Sequence, residues 1–154
     1  MNTQFLTNEG HQRAHSQLEF LCTVKRAEVA QRLREAMEAG DVFRNAAFED
    51  AKFEQVHIEG RIAELEQLLA TATVFDISKA PKDIVSLGSI VHLAMSDDRT
   101  YCYTIVGSYE ANPGAGRISH ESPVGKALLG HTMGDQITVA TPGGVKEYTI
   151  LGIA

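Results

Sequence analysis

The sequence predicts an α+β protein: an N-terminal antiparallel helical hairpin followed by a small antiparallel β domain with one short helix. Three observations predict it. Composition changes near residue 75: all four prolines (Pro81, Pro113, Pro123, Pro142) lie beyond that point, and the chain before it is rich in Ala, Glu, Leu, Arg and Gln. The second helical stretch carries a clean 3-4 apolar repeat. The last seventy residues read as β-branched runs separated by Gly/Pro turn signals.

The first helix is expected to begin after Thr7, a capping residue, and to run to Ala39, with Gly40 as its stop. Leu18, Leu21, Cys22, Val29, Leu33, Ala36 and Met37 lie near one face, although Lys25 and Arg32 fall close to that stripe. Over this length an α-helix extends roughly 45 Å. In the second helix the seam is Phe48, Ala51, Gln55, Ile58, Ile62, Leu65, Leu69 and Ala72. Two such helices joined by a short loop fold back on each other. The hairpin is thus placed at 1–76 with its tip at 40–45, and Lys79–Lys82 is read as the hinge to a second domain at 83–154.

In that domain, Ser89–Ala94 and Tyr101–Tyr109 flank the polar turn Ser96–Arg99, and Gln136–Thr141 and Val145–Ile153 flank Pro142-Gly143-Gly144. Between the hairpins, Ser122 as N-cap, Pro123 in the first helical position and Gly130 past the end mark a short helix. Four or five antiparallel strands on one helix are expected.

Composition excludes several functions. A formal net charge of −6 argues against non-specific binding of nucleic acid through overall charge, while leaving room for local basic patches; no sequence-specific DNA binding is expected. Two distant cysteines, Cys22 and Cys102, predict no disulfide framework and are read as seam and strand-core residues. No signal peptide or membrane-length apolar run is visible, which predicts a cytoplasmic protein without membrane attachment. The chain has no G-x-S-x-G and no phosphate-binding loop; His11 and His15 share a helical face but have no carboxylate between them and no third ligand nearby, so no cofactor of its own and no catalytic residue of its own are expected.

A long thin hairpin is suited to reaching, which directs attention to its tip. Asp41 follows Gly40 at the turn. A single carboxylate binds Mg²⁺ weakly, because the ion takes six oxygens and keeps several waters. Asp41 therefore suits completing a metal site that another protein supplies. Register leaves Phe43 free at the tip and uses Phe48 to close the seam.

These residues carry a family resemblance. Gly40-Asp41, Asn45-Ala46, Phe48, Glu59-Gly60-Arg61-Ile62 and Leu65-Glu66 resemble the hairpin of the bacterial transcript-cleavage factors GreA and GreB. Leu87-Gly88-Ser89, Ile105-Val106-Gly107, Ile118-Ser119, Ser122–Gly130, Gly134-Asp135, Thr141–Gly144 and Glu147-Tyr148 resemble that family's FKBP-like globular domain. The resemblance implies a monomer that docks on bacterial RNA polymerase through the segment containing Ile118, Ser119, Ser122, Pro123 and Gly125. It implies a hairpin entering the polymerase secondary channel, so that Asp41, Phe43, Arg44 and Asn45 act in the polymerase active site. Asp41 would touch the polymerase-bound Mg²⁺, and Lys52 would face the RNA 3′ end. Lys25, Arg26, Arg32 and Arg34 either extend this basic patch or are helix-surface charges in i, i+4 pairs.

One departure bears on activity. The family tip reads Gly-Asp-Leu-x-Glu-Asn-Ala-Glu-Tyr, whereas here Gly40-Asp41-Val42-Phe43-Arg44-Asn45-Ala46-Ala47-Phe48 stands. Arg44 reverses the charge of the second acid. The expectation is a secondary-channel regulator of elongation or initiation, with cleavage weak or lost. The alternative is a working cleavage factor that uses Asp41 to rescue backtracked polymerase.

Overall fold

The computed structural model describes residues 4–40 and 45–154. Strand β1 (Phe5–Thr7) leads into helix α1 (Asn8–Phe20), a π-helical turn (Leu21–Lys25) and helix α2 (Arg26–Glu38). Helix α3 (Ala46–Thr71) is followed by β2 (Thr73–Phe75), β3 (Ile90–Met95), β4 (Thr100–Val106), β5 (Arg117–Ser119), α4 (Pro123–Leu128), β6 (Gln136–Thr141) and β7 (Gly144–Ile153).

Two compact units result: one is His11–Thr71, the other joins the residues up to Gly10 with Ala72–Ala154. The sequence reading grouped the first ten residues with the hairpin; here β1 pairs in parallel with β2, Leu6 opposite Val74.

In the helical unit the two arms run antiparallel. Arg26 pairs with Glu59 and Arg32 with Glu54, so the partner's number falls as the first rises. The seam is built on Val29, Ile58 and Ile62, with Leu18, Leu21, Cys22 and Leu33 against them. Cys22 therefore sits where its spacing predicted. Two seam assignments differ. Met37 is exposed because Ala36 takes the inward position, and Leu68 is buried while Leu69 is half-buried. Helix one is also not uniformly α. The hydroxyl of Thr23 donates to the carbonyl of Glu19 at 2.8 Å within the π-turn. Such a wider turn shifts the phase of an apolar stripe, which accounts for Lys25 and Arg32 falling near it in the sequence.

The second unit holds a five-stranded sheet in the order β5-β4-β3-β7-β6. Its pairings are antiparallel except β4–β5, which is parallel. Residues 107–116 between those strands make two 3-10 turns, giving the chain the length a parallel return requires. The expected Tyr101–Tyr109 strand accordingly stops at Val106. The core is Val85, Val91, Leu93, Ile105, Ile118, Leu128, Ile137, Val139, Tyr148 and Ile150. Strand β4 alternates, sending Tyr101, Tyr103 and Ile105 towards this core. Cys102 consequently faces outward and is exposed, not a strand-core residue. Helix α4 forms as its signals predict: Ser122 Oγ accepts from the N–H of Gly125 at 3.1 Å, and Pro123 opens the helix. Among the described residues no helix is long and apolar enough to cross a membrane.

Candidate functional site

The distal end of the arm is organised by Asn45. Its Oδ1 accepts from the N–H of Phe48 at 3.2 Å, and its backbone carbonyl accepts from Glu49 at 3.1 Å. These are the bonds of an N-cap on α3. Its Nδ2 donates to the carbonyl of Ala36 at 2.6 Å, in the last turn of α2. That turn closes with the N–H of Ala39 on the carbonyl of Glu35 at 3.1 Å, and Gly40 follows at φ +130. Ala36, Ala39, Ala47 and Ala51 line a cleft of about 390 Å³ between the two helix ends, with Glu35 and Asp50 also on its wall. Small side chains allow the helices to approach there. Asp41, Phe43 and Arg44 lie outside the described residues.

Lys52 is exposed on α3, and among the described residues no ion pair involves it. The other basic residues are engaged within the arm. Arg26 Nε and Nη2 each donate to a Glu59 carboxylate oxygen at 2.8 Å, a bidentate pair. That hydrogen bond raises the guanidinium pKa further and holds Glu59 below the usual glutamate range. Arg32 pairs with Glu54, Lys25 lies 3.4 Å from Glu28, and Arg34 donates to Gln31 at 2.6 Å. Arg26, Arg32 and Lys25 are thus offset by carboxylates within the arm, while Arg34 meets only a neutral amide and Lys52 has no ion pair among the described residues.

In the sheet unit the segment 118–125 is tightly bonded. Ile118 is in the core and Gly125 is buried. A Cβ on Gly125 would lie 2.0 Å from the carbonyl oxygen of Ser119. Ser122 Oγ donates to that carbonyl at 2.7 Å while capping α4. Pro123 is exposed, and Ser119 and Ser122 are half-buried. Two residues missed in the sequence join them. Ser108 Oγ lies 2.8 Å from Ser119 Oγ and donates to Glu121 Oε2 at 2.9 Å. The N–H of Glu121 donates to Ser119 Oγ at 3.0 Å. Nothing in a sequence eleven residues apart reveals the Ser108–Ser119 contact; the parallel return to β5 creates it. Beside this network the ring of His120 stands edge-on to Phe5 at 5.4 Å.

The tyrosines of this unit pack together. Tyr101 stacks on Tyr103 at 5.8 Å and meets Tyr148 edge-on at 6.3 Å. Burial raises the pKa of both Tyr103 and Tyr148. Among the described residues no three His, Cys, Asp or Glu side chains are grouped so as to hold a metal ion.

The chain thus combines an antiparallel helical pair, joined across its helix ends by Asn45, with a five-stranded sheet unit that carries a bonded Ser-Pro segment. The comparisons name its class. The family model described as transcription elongation factor, N-terminal, matches residues 4–74, and the one described as transcription elongation factor, GreA/GreB, C-term, matches residues 80–154. Transcription elongation factor GreA of Chloroflexus aurantiacus is 47% identical over 150 residues, covering 97% of this chain and 96% of the relative. GreA of Acetivibrio thermocellus is 48% identical over 149 residues, covering 96% and 94%. The crystal structure of the GreA factor homolog 1 protein of Thermus thermophilus shares 33% identity, covering 99% of each chain with a TM-score of 0.46. The chain belongs to the GreA/GreB family of transcription elongation factors.

Proposed function

We propose that this chain binds bacterial RNA polymerase at its secondary channel and regulates elongation or initiation, with stimulated transcript cleavage weak or lost. The observation that carries the reading is Arg44, which stands where the family pattern has its second tip acid. The metal in question is the polymerase's Mg²⁺. Asp41 supplies part of the oxygen set that this ion takes, and the polymerase supplies the rest. Near that ion, an arginine replaces an attraction with a repulsion. At roughly 5 Å and an effective dielectric near 20, each pair of unit charges is worth about 3 kcal/mol. Losing a gain and adding a penalty of that size is enough to suppress a stimulated reaction.

In this reading the chain works in the cytoplasm and has no active site of its own. Docking falls to the face around Ser119, Ser122 and Pro123, where Ser108 and Glu121 extend the polar surface. Lys52, exposed and unpaired among the described residues, faces the RNA 3′ end. Retention of Asp41 favours the second reading, a working cleavage factor for backtracked polymerase.

The test adds the purified chain to a backtracked elongation complex with Mg²⁺ and follows RNA length. Slowed nucleotide addition, or blocked cleavage by an intact GreA, supports the regulator. Strong 3′ cleavage supports the second reading. No effect at any concentration overturns the polymerase assignment.

A further inference from the structure

We propose that Asn45 is a positioning residue for the arm's tip, acting by bonding both helix ends at once and not by touching RNA or metal; the proposal rests on the secondary-channel reading above.

The argument begins with helix ends. A helix leaves its first N–H groups and last carbonyls without intrahelical partners. The hairpin places two such ends side by side: the carbonyl end of α2 and the N–H end of α3. One primary amide meets both. Its oxygen faces the N–H of Phe48 and its nitrogen faces the carbonyl of Ala36. The partners fix the amide's orientation, since a donor must face the oxygen and an acceptor the nitrogen. Both polar ends of the side chain are thereby engaged within the arm. The amide dipole also follows the local field, oxygen towards the positive end of α3 and nitrogen towards the negative end of α2.

The consequence is specific to asparagine. Aspartate caps a helix as well as asparagine does. In this position, however, it would turn a carboxylate oxygen onto the Ala36 carbonyl, replacing a donor with a repulsion. Serine would also cap α3, but its hydroxyl is one bond shorter and lacks the second polar atom. Both changes keep the N-cap and remove the bond across the hairpin. In sequence, residues 41–44 join these two helix ends, so the cross-bond between Asn45 and Ala36 fixes the two points that this segment must connect. Misplacement by about 1 Å is enough to cost orders of magnitude in an assembled site.

The experiment titrates the native chain, Asn45→Asp, Asn45→Ser and Asn45→Ala onto a backtracked elongation complex. It records the maximal effect on RNA cleavage or nucleotide addition, whichever the native chain produces, and the concentration for half effect. Helix content and thermal unfolding are followed by circular dichroism. Asn45→Asp and Asn45→Ser are expected to lower the maximal effect by about tenfold or more, with half-effect concentration and helix content unchanged. Asn45→Ala is expected to lose the effect and also melt earlier. A native maximal effect in Asn45→Asp and Asn45→Ser overturns the inference. So does a loss that comes only with reduced helix content and weaker docking, which is a purely structural role. If the native chain itself is inert and leaves GreA cleavage unchanged, the polymerase reading falls and the inference with it.

Discussion

The carboxylate of Glu110 accepts the backbone N–H of Thr7 at 2.6 Å and its hydroxyl at 2.5 Å, across 103 residues of sequence. Thr7 ends β1 and caps α1, its Oγ1 accepting from the N–H of Gly10 at 3.0 Å. The Glu110 side chain is 2% exposed, and Arg117 Nη1 stands 3.6 Å from its Oε1. A buried carboxylate is tolerable only when bonded in this way. Glu110→Ala leaves the Thr7 donors and Arg117 without it and is expected to cost about 3 kcal/mol. Chemical denaturation of the whole chain measures this.

Gly10 supplies the space. A Cβ there would lie 2.2 Å from Glu110 Oε1. By helix propensity alone, Gly→Ala stabilises by about 1 kcal/mol. Here Gly10→Ala is expected to destabilise by about 2 kcal/mol, as overpacking does. In the Glu110→Ala background the same change should turn neutral or stabilising, and that non-additivity is the diagnostic.

Glu59 predicts an acid dependence of the arm. Its hydrogen bond from Arg26 holds the folded carboxyl below the ordinary glutamate range. A depressed folded pKa adds stability that is present above the ordinary value and lost as pH falls through the folded one. Glu59→Gln should therefore lower the arm's melting temperature at neutral pH and match the native chain in strong acid. High salt should narrow the neutral-pH difference, since the pair is exposed.

Under the proposed function, Arg44→Glu restores the family's second acid. Cleavage of backtracked RNA should rise by about tenfold or more, given the charge energies involved. Unchanged RNA length would assign the control of cleavage to other positions.

The 118–125 segment separates folding from docking. Gly125→Ala drives a methyl into the Ser119 carbonyl and should destabilise the sheet unit by about 2 kcal/mol. Pro123 is exposed, so Pro123→Ala should leave unfolding nearly unchanged. If this face docks on polymerase, Pro123→Ala should raise the concentration for half effect in the elongation assay.

Much of this protein was legible in local sequence. Period and punctuation are short-range signals: the 3-4 repeat of Ala51, Ile58, Ile62 and Leu65 fixed a helix and its inward face, and Ser122-Pro123 fixed the start of α4. The turn at 96–99 fell where its Asp residues put it, and the second turn is Pro142-Gly143, with Gly144 already opening β7. Arg44 and Asp41, which carry the functional proposal, were read directly from residue identity. The misreadings share a cause. Met37, Leu69 and Cys102 are apolar in type, yet which of two neighbouring positions turns inward depends on strand phase for Cys102, on the π-turn at Leu21–Lys25 for Met37 and on what packs at the end of α3 for Leu69, and none of these has a local signature.

What the sequence determined by itself was the class, the order of elements and the residues available at the tip, because propensity, capping and periodicity act over a few residues. Only the tertiary structure decided that β1 pairs with β2, that β5 returns parallel to β4, that Glu110 holds Thr7, and that Asn45 bonds two helix ends at once. Those contacts join groups between nine and more than a hundred residues apart. They form where buried or terminal polar groups must find partners, and only the folded chain brings the partners within reach.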